Sequence, residues 1–270
     1  MHGRVLVIAG SDSGGGAGIQ ADIKAITALG AFAATALTAL TAQNTTGVFG
    51  VHPVPPAFIR QQIQVVMVDI GADVLKSGML GDTATIEAVC DALSAFAPGV
   101  PLVLDPVMVA KGGHHLLATE AVATLRRRLL PVAAVITPNL PEAEALSGLS
   151  ITSPADMREA ASALLALGVP AVLLKGGHLP GDILVDMLAT ADGIEEFVST
   201  RIVTRHTHGT GCTMASAVAA GLAQRLSLRD AVIRARAYVR AAITAAPGFG
   251  AGHGPLDHAV TVDPDRLTRG

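Results

Sequence analysis

A thiol behind two glycines opens the chemistry of this chain. Gly209-Thr210-Gly211-Cys212 precedes a helical run of small residues, Met214 to Gln224. A helix start leaves backbone N–H groups unpaired and carries partial positive charge, and the glycines let an anion approach the bare backbone. The segment therefore reads as an anion hole with Cys212 at its mouth. Taken alone, it fits a plain glycine-rich turn before a buried helix equally well.

Other groups extend this inventory. Asp105 ends an apolar strand, and Glu142 stands in Asn139-x-x-Glu142 at a helix start. Acids so placed suit Mg²⁺, which takes few protein carboxylates and keeps water and phosphate ligands. Glu142 is equally a helix-start acid favoured by the dipole. Lys175 follows the apolar Val172-Leu173-Leu174, where it meets phosphate oxygens or simply snorkels from a sheet edge. The chain has four lysines, Lys24, Lys76, Lys111 and Lys175, against fifteen arginines, so each lysine is a candidate for a specific role.

Several alternatives fail on their own requirements. Gly16-Ala17-Gly18-Ile19-Gln20-Ala21 has the glycines of a dinucleotide fingerprint, but six residues separate it from the strand and no acid lies between Asp22 and Asp69. Its glycines read instead as a close approach for a ligand, with Asp22 turned toward it. Asp12-Ser13-Gly14-Gly15 has a protease-like look on the wrong scaffold. His206, His208 and Cys212 have zinc-ligand chemistry, but a helix start favours an anion, so the histidines read as polar loop residues. No Walker A loop is present. An anion hole, two acids, a rare lysine and glycine-rich rims together suit phosphoryl transfer, where catalysis is positioning and charge stabilisation.

The elements that must hold these groups alternate. Expected strands are Arg4–Ala9, Ala33–Leu40, Val74–Ser77, Pro101–Leu104, Ala133–Thr137, Ala171–Lys175, Ile183–Leu188, Glu195–Ser199 and Ile202–Thr204. Expected helices are Ala17–Leu29, Pro56–Val68, Thr83–Phe96, Ala118–Leu129, Leu140–Leu146, Pro154–Leu167, Gly211–Leu226 and Leu228–Ala245. Apolar strands alternating with helices predict an α/β fold, a mostly parallel central sheet with helices on both faces. Ala33–Leu40 and Gln43–Val51 predict a small β flap, and Ile183–Thr204 an antiparallel edge hairpin turning at Ala191-Asp192-Gly193. With no linker or repeat, residues 1–270 read as one domain. The polar and glycine residues fall at the carboxyl ends of the strands, where open α/β sheets bind ligands.

Composition narrows the partners. Among 270 residues half are apolar, the net charge is −3, and there is no Trp and one Tyr. That speaks against nucleic acid and against an anionic membrane surface. No secretory signal or membrane-spanning segment is expected, and two cysteines make a poor disulfide framework, so the expected location is cytoplasmic.

Along nearly the whole chain the residues resemble a known family. Ile8 to Asp22, Thr41-Ala42-Gln43-Asn44-Thr45, Lys76-Ser77-Gly78-Met79-Leu80, Asp105-Pro106-Val107-Met108, Thr137 to Ala143, Leu174 to His178, Thr207 to Cys212, and Gly252 to Pro255 look like the bacterial hydroxymethylpyrimidine/phosphomethylpyrimidine kinases, of the ribokinase superfamily. The resemblance implies a ribokinase-like fold. It also implies ATP- and Mg²⁺-dependent phosphorylation of 4-amino-5-hydroxymethyl-2-methylpyrimidine, and then of its monophosphate, for thiamine diphosphate biosynthesis. Carried over by motif, Gly10, Asp22, Gln43, Met79 and Val107 line the pyrimidine pocket. Asp105, Asn139 and Glu142 serve Mg²⁺ and the triphosphate. Lys175, Thr207 and Gly209, Thr210, Gly211 and Cys212 meet the phosphates. A homodimer is implied, joined through the sheet flap. Ribokinase-like sugar kinases carry Asp where Cys212 stands. The helix start is expected to lower the thiol pKa, and a loose transition state demands little early proton removal. Two other readings stand beside this one, a pyridoxal kinase with the same Gly-Thr-Gly-Cys and a non-catalytic pyrimidine-binding sensor.

Overall fold

In a computed structural model, which describes residues 1–109, 113, 116–263 and 265, β1 (Arg4–Asp12) lies inside a nine-stranded sheet. The other strands are β2 (Phe32–Asn44), β3 (Gly47–Pro53), β4 (Val74–Ser77), β5 (Leu102–Leu104), β6 (Val135–Ile136), β7 (Ala171–Leu174), β8 (Ile183–Thr190) and β9 (Gly193–Thr200). Their order is β3-β2-β1-β4-β5-β6-β7-β8-β9. The run from β2 to β7 is parallel, while β3, β8 and β9 are antiparallel additions at the two edges.

Alternation along each strand divides the core in two. Leu6, Ile8, Leu75, Leu102, Leu104 and Leu174 face one layer, packed by α2 (Pro56–Asp69), α3 (Thr83–Phe96), α5 (Leu140–Ser147) and α6 (Pro154–Ala166). Val5, Val7, Val74, Val103, Val135 and Leu173 face the other, packed by α1 (Gly18–Ala28), α7 (Thr210–Ala223) and α8 (Leu228–Thr244). α7 is buried along almost its whole length, which its alanines and glycines permit. A methyl added at Gly221 would stand 2.6 Å from Ala231 Cβ, so α7 and α8 cross in near contact.

The expected ribokinase-like α/β architecture is present, with four local departures. The expected flap strands are not separate short pieces. β2 runs unbroken for 13 residues through Thr41 and Asn44, because Thr41 pairs with Val51 and its hydroxyl donates to Ser11 O. Ile202–Thr204 is not a strand: β9 ends at Thr200 opposite Ile183, where β8 begins, so no backbone remains to pair with. Ala133–Thr137 contracts to β6. The helix expected over 118–129 is α4 (Ala121–Thr124) followed by a π-turn at Leu125–Leu129 and a 3₁₀ turn at Leu130–Val132, with Pro131 in that last turn. Among the described residues no helix is long and apolar enough to cross a membrane.

Candidate active site

Strand ends converge on a cavity of about 950 Å³. Two register slips aim residues into it. β1 and β2 slip between Ala9 and Ser11, and β2 and β3 slip between Ala42 and Gln43, the usual work of bulges beside functional sites. Gly10, Gln43, Met79 and Val107 line one end. A methyl on Gly10 would stand 3.1 Å from Met79 Sδ, and Thr38 Oγ1 donates to Met79 O at 2.6 Å, so this wall is tightly placed.

Gly209 to Cys212 form the start of α7. Gly209 is the N-cap of α7 at φ +80°, with no side-chain cap. A Cβ there would fall 1.8 Å from Gly16 O, so only glycine fits. The N–H groups of Gly211 and Cys212 therefore have no carbonyl within the helix to donate to. A methyl on Gly211 would lie 3.3 Å from Lys175 Nζ and 3.8 Å from Asp105 Oδ2, which puts the helix start, the lysine and the acid at one point. Thr207 and Thr210 are joined by Thr210 Oγ1 donating to Thr207 O, and both line the cavity.

Lys175 does not snorkel outward. Its Nζ donates to Asp105 Oδ1 at 3.1 Å, and Thr137 Oγ1 donates to the same oxygen. Burial works against the lysine charge, but Asp105 and Glu142 outweigh it and hold Lys175 above its ordinary pKa. Glu142 and Asn139 form a capping box, Glu142 N donating to Asn139 Oδ1 and Asn139 N to Glu142 Oε2. Both also line the cavity. Burial raises the Glu142 carboxyl to about 7; Lys175 opposes this and Asp105 adds to it.

Two expectations change. Asp22 does not line the cavity. It is wholly buried, with Lys76 Nζ donating to both carboxylate oxygens at 2.9 Å and Ser216 Oγ to Oδ1 at 2.7 Å. Lys76 is the member of this pair that reaches the cavity wall. Burial alone would discharge it, but Asp22, with Cys212 and Asp105, holds its pKa up. The second change is Cys212. Its side chain reaches the cavity, yet burial pushes the thiol up to about 12, with Lys76 pulling the other way and Asp22 and Asp105 adding to the rise. The thiol lies above its ordinary value rather than below it, because the surrounding protein takes away water and supplies carboxylates.

Sequence reasoning gave Asp12 and His208 no role in the site. Asp12 accepts from the N–H groups of Gly14, Gly16 and Ala17 and binds His208 Nε2 at 2.8 Å. Burial opposes its charge, but His208 and these amides hold the carboxyl below its ordinary pKa. His208 lies in the loop before α7, as read, but is buried there. The available signal was position: Asp12 ends β1 and His208 directly precedes the anion hole. Of the remaining lysines, Lys24 donates to Gly15 O at the surface, and Lys111 lies outside the described residues. No group of three or more His, Cys, Asp or Glu able to hold a metal occurs among the described residues.

The family model for phosphomethylpyrimidine kinase matches residues 12–257. The chain is 52% identical over 97% of its length to the thiamine biosynthesis bifunctional protein ThiED of Geobacter sulfurreducens, of which it spans 53%. It is 50% identical to the hydroxymethylpyrimidine/phosphomethylpyrimidine kinase of Streptomyces coelicolor, covering 94% of this chain and 93% of the relative. The ADP complex of Bacillus subtilis pyridoxal kinase superposes with TM-score 0.89 at 37% identity, covering 97% of this chain and all (100%) of that one.

Proposed function

From a chain that belongs to the phosphomethylpyrimidine kinase family and is a phosphotransferase, we propose ATP-dependent phosphorylation of 4-amino-5-hydroxymethyl-2-methylpyrimidine and then of its monophosphate. The observation that carries this reading is the meeting of the uncapped α7 start with Lys175 and Asp105 beside a pocket lined by Gln43, Met79 and Val107. In the proposed complex the pyrimidine lies against these three residues and Gly10, with its hydroxymethyl group toward Cys212. The triphosphate runs along Asn139, Lys175 and Thr207 to the Gly209–Cys212 amides. Those amides and Lys175 stabilise charge on the transferred phosphoryl group without reorganising.

The donor set fits Mg²⁺. The carboxylates are hard oxygen ligands at the cavity wall, and Glu142 is held near 7 in a place where a cation would relieve its burial. Asp105 and Glu142 are proposed to hold the ion, directly or through water, and the bound ion would neutralise phosphate charge. Cys212, with its thiol pushed up to about 12, is not proposed as a resting thiolate base. The thiol packs at the reacting carbon, and the amides and lysines do the charge work.

A homodimer is proposed through the β2–β3 edge, where Leu40, Phe49 and Val51 are exposed. A cytoplasmic location is proposed with it. Pyridoxal is the second substrate to test, because a pyridoxal kinase shares this fold at TM-score 0.89. The deciding experiment is product analysis with Mg·ATP and the hydroxymethylpyrimidine, its monophosphate or pyridoxal. Mono- and diphosphate from the pyrimidine are expected. Turnover of pyridoxal alone would overturn the proposal, and ATP-independent pyrimidine binding without product would favour a sensor.

A further inference from the structure

Gln43 meets a ring nitrogen whose proton is already assigned by its other neighbour. Asp12 Oδ2 lies 2.8 Å from His208 Nε2, and Asp12 is an ionised acceptor of three backbone N–H groups. An acceptor at that distance requires a proton on Nε2, whether the ring is neutral or charged. The Gln43 amide approaches the same Nε2 at 3.2 Å with the atom placed as Nε2. Two N–H donors cannot face each other there. The other amide terminus, placed as Oε1, lies 3.3 Å from Thr41 Oγ1, whose single proton already goes to Ser11 O at 2.8 Å. A half-turn of the amide removes both conflicts: Oε1 then shares the Nε2–H of His208 with Asp12, as the longer arm of a three-centre bond, and Nε2 donates to Thr41. Amide orientation is assigned from such networks.

We propose that His208, held by Asp12, is the positioning residue that fixes the polarity of the Gln43 amide and so determines which pyrimidine edge the cavity accepts. Resting on the proposed role of Gln43 against the pyrimidine, the inference adds that one order of donor and acceptor is locked. A 4-amino pyrimidine offers a donor beside a ring-nitrogen acceptor. A 4-oxo pyrimidine offers the reverse, and a locked amide rejects it because a buried polar group would be left unpaired. An amide free to rotate would accept both. His208 is 8% exposed, so bulk water is no ready substitute for it.

The test is the ratio of kcat/KM for the 4-amino substrate over its 4-oxo analogue. His208→Met keeps size and removes the donor, so the ratio is expected to fall about ten-fold or more. His208→Gln keeps an N–H at the Nε2 position and is expected to retain most of the ratio. In a Gln43→Ala background, adding His208→Met is expected to change the ratio by no more than about two-fold, because coupled residues lose their effect together. A His208→Met ratio equal to the parent's, with Gln43→Ala still lowering it, overturns the inference while leaving the pyrimidine site in place. A Gln43→Ala variant with parent KM and parent ratio overturns the site reading, and the inference with it. If His208→Met does not fold, His208→Asn, too short to reach both partners, takes its place in the same ratio measurement. A lowered ratio then supports the inference, and a ratio equal to the parent's overturns it.

Discussion

Two lysine–aspartate pairs border the cavity, and they are built differently. Lys76 and Asp22 are both wholly buried, joined by two contacts of 2.9 Å, with Ser216 on the same carboxylate. Lys175 and Asp105 touch through one oxygen at 3.1 Å, and Lys175 keeps 15% of its side-chain surface open. A pair with both oxygens engaged and no water holds its charges for the fold. A pair with one contact and an open face can exchange that contact for a phosphate or a cation. The same residue types thus serve as a pillar in one place and as working groups in the other, and the number of committed oxygens separates them.

The sharpest way to break this comparison is Lys76→Met. It strands the Asp22 carboxylate in the core, and unfolding stability in urea is expected to fall by about 3–5 kcal/mol. Adding Asp22→Asn should restore a good part, since no lone charge then remains. A Lys76→Met protein as stable as the parent would mean that the pair is not a pillar.

Lys175→Met should behave in the opposite way. Turnover is expected to drop about 10²–10³-fold, the usual effect of losing one charge-stabilising donor. Stability should fall less than in Lys76→Met, because Thr137 still donates to Asp105 and Lys175 is the more open of the two lysines. Separate kinetic and denaturation measurements check the two halves. A large stability loss with turnover intact would reverse the two roles.

Glu142 tests the open pair through pH. Its folded pKa of about 7 exceeds its ordinary 4.5, so between these values the folded state binds more protons than the unfolded chain. Stability of the ligand-free protein should therefore fall as pH rises from about 4.5 to 7, by on the order of 2 kcal/mol from this group. Glu142→Gln keeps the oxygen for Asn139 N and should flatten that slope. It should also shift activity to higher Mg²⁺ concentration. An unchanged Mg²⁺ dependence would leave Glu142 as a helix cap only.

Cys212→Ser is expected to have the smallest effect. With the thiol pushed up to about 12, both phosphorylation steps should lose less than about ten-fold in kcat. A loss of about 10² or more confined to the alcohol step, measured apart from the monophosphate step, would restore the general-base role.

Much of this was legible in residue order. Val74–Ser77 and Thr83–Phe96 were delimited to the residue, because Asp73 and Gly78 bracket the strand and Asp82 caps the helix. The helix start at Gly209–Cys212 was legible because glycines and a small-residue run are adjacent there. Residues 202–204 were not, since strand identity there depends on whether a partner edge remains. The direction of Asp22 was not legible either: Lys76, 54 residues away, captures it.

The chain by itself determined the alternation of strands and helices, the glycines at the start of α7 and the family-wide motifs, because each is local in sequence. Only the tertiary structure decided what the charges do. It buried Asp22 with Lys76, left Lys175 open beside Asp105, raised the Cys212 thiol, and brought Asp12 to His208 across 196 positions. The physical reason is that desolvation and ion pairing depend on which groups lie within a few ångströms, and in this fold those groups arrive from different strand ends.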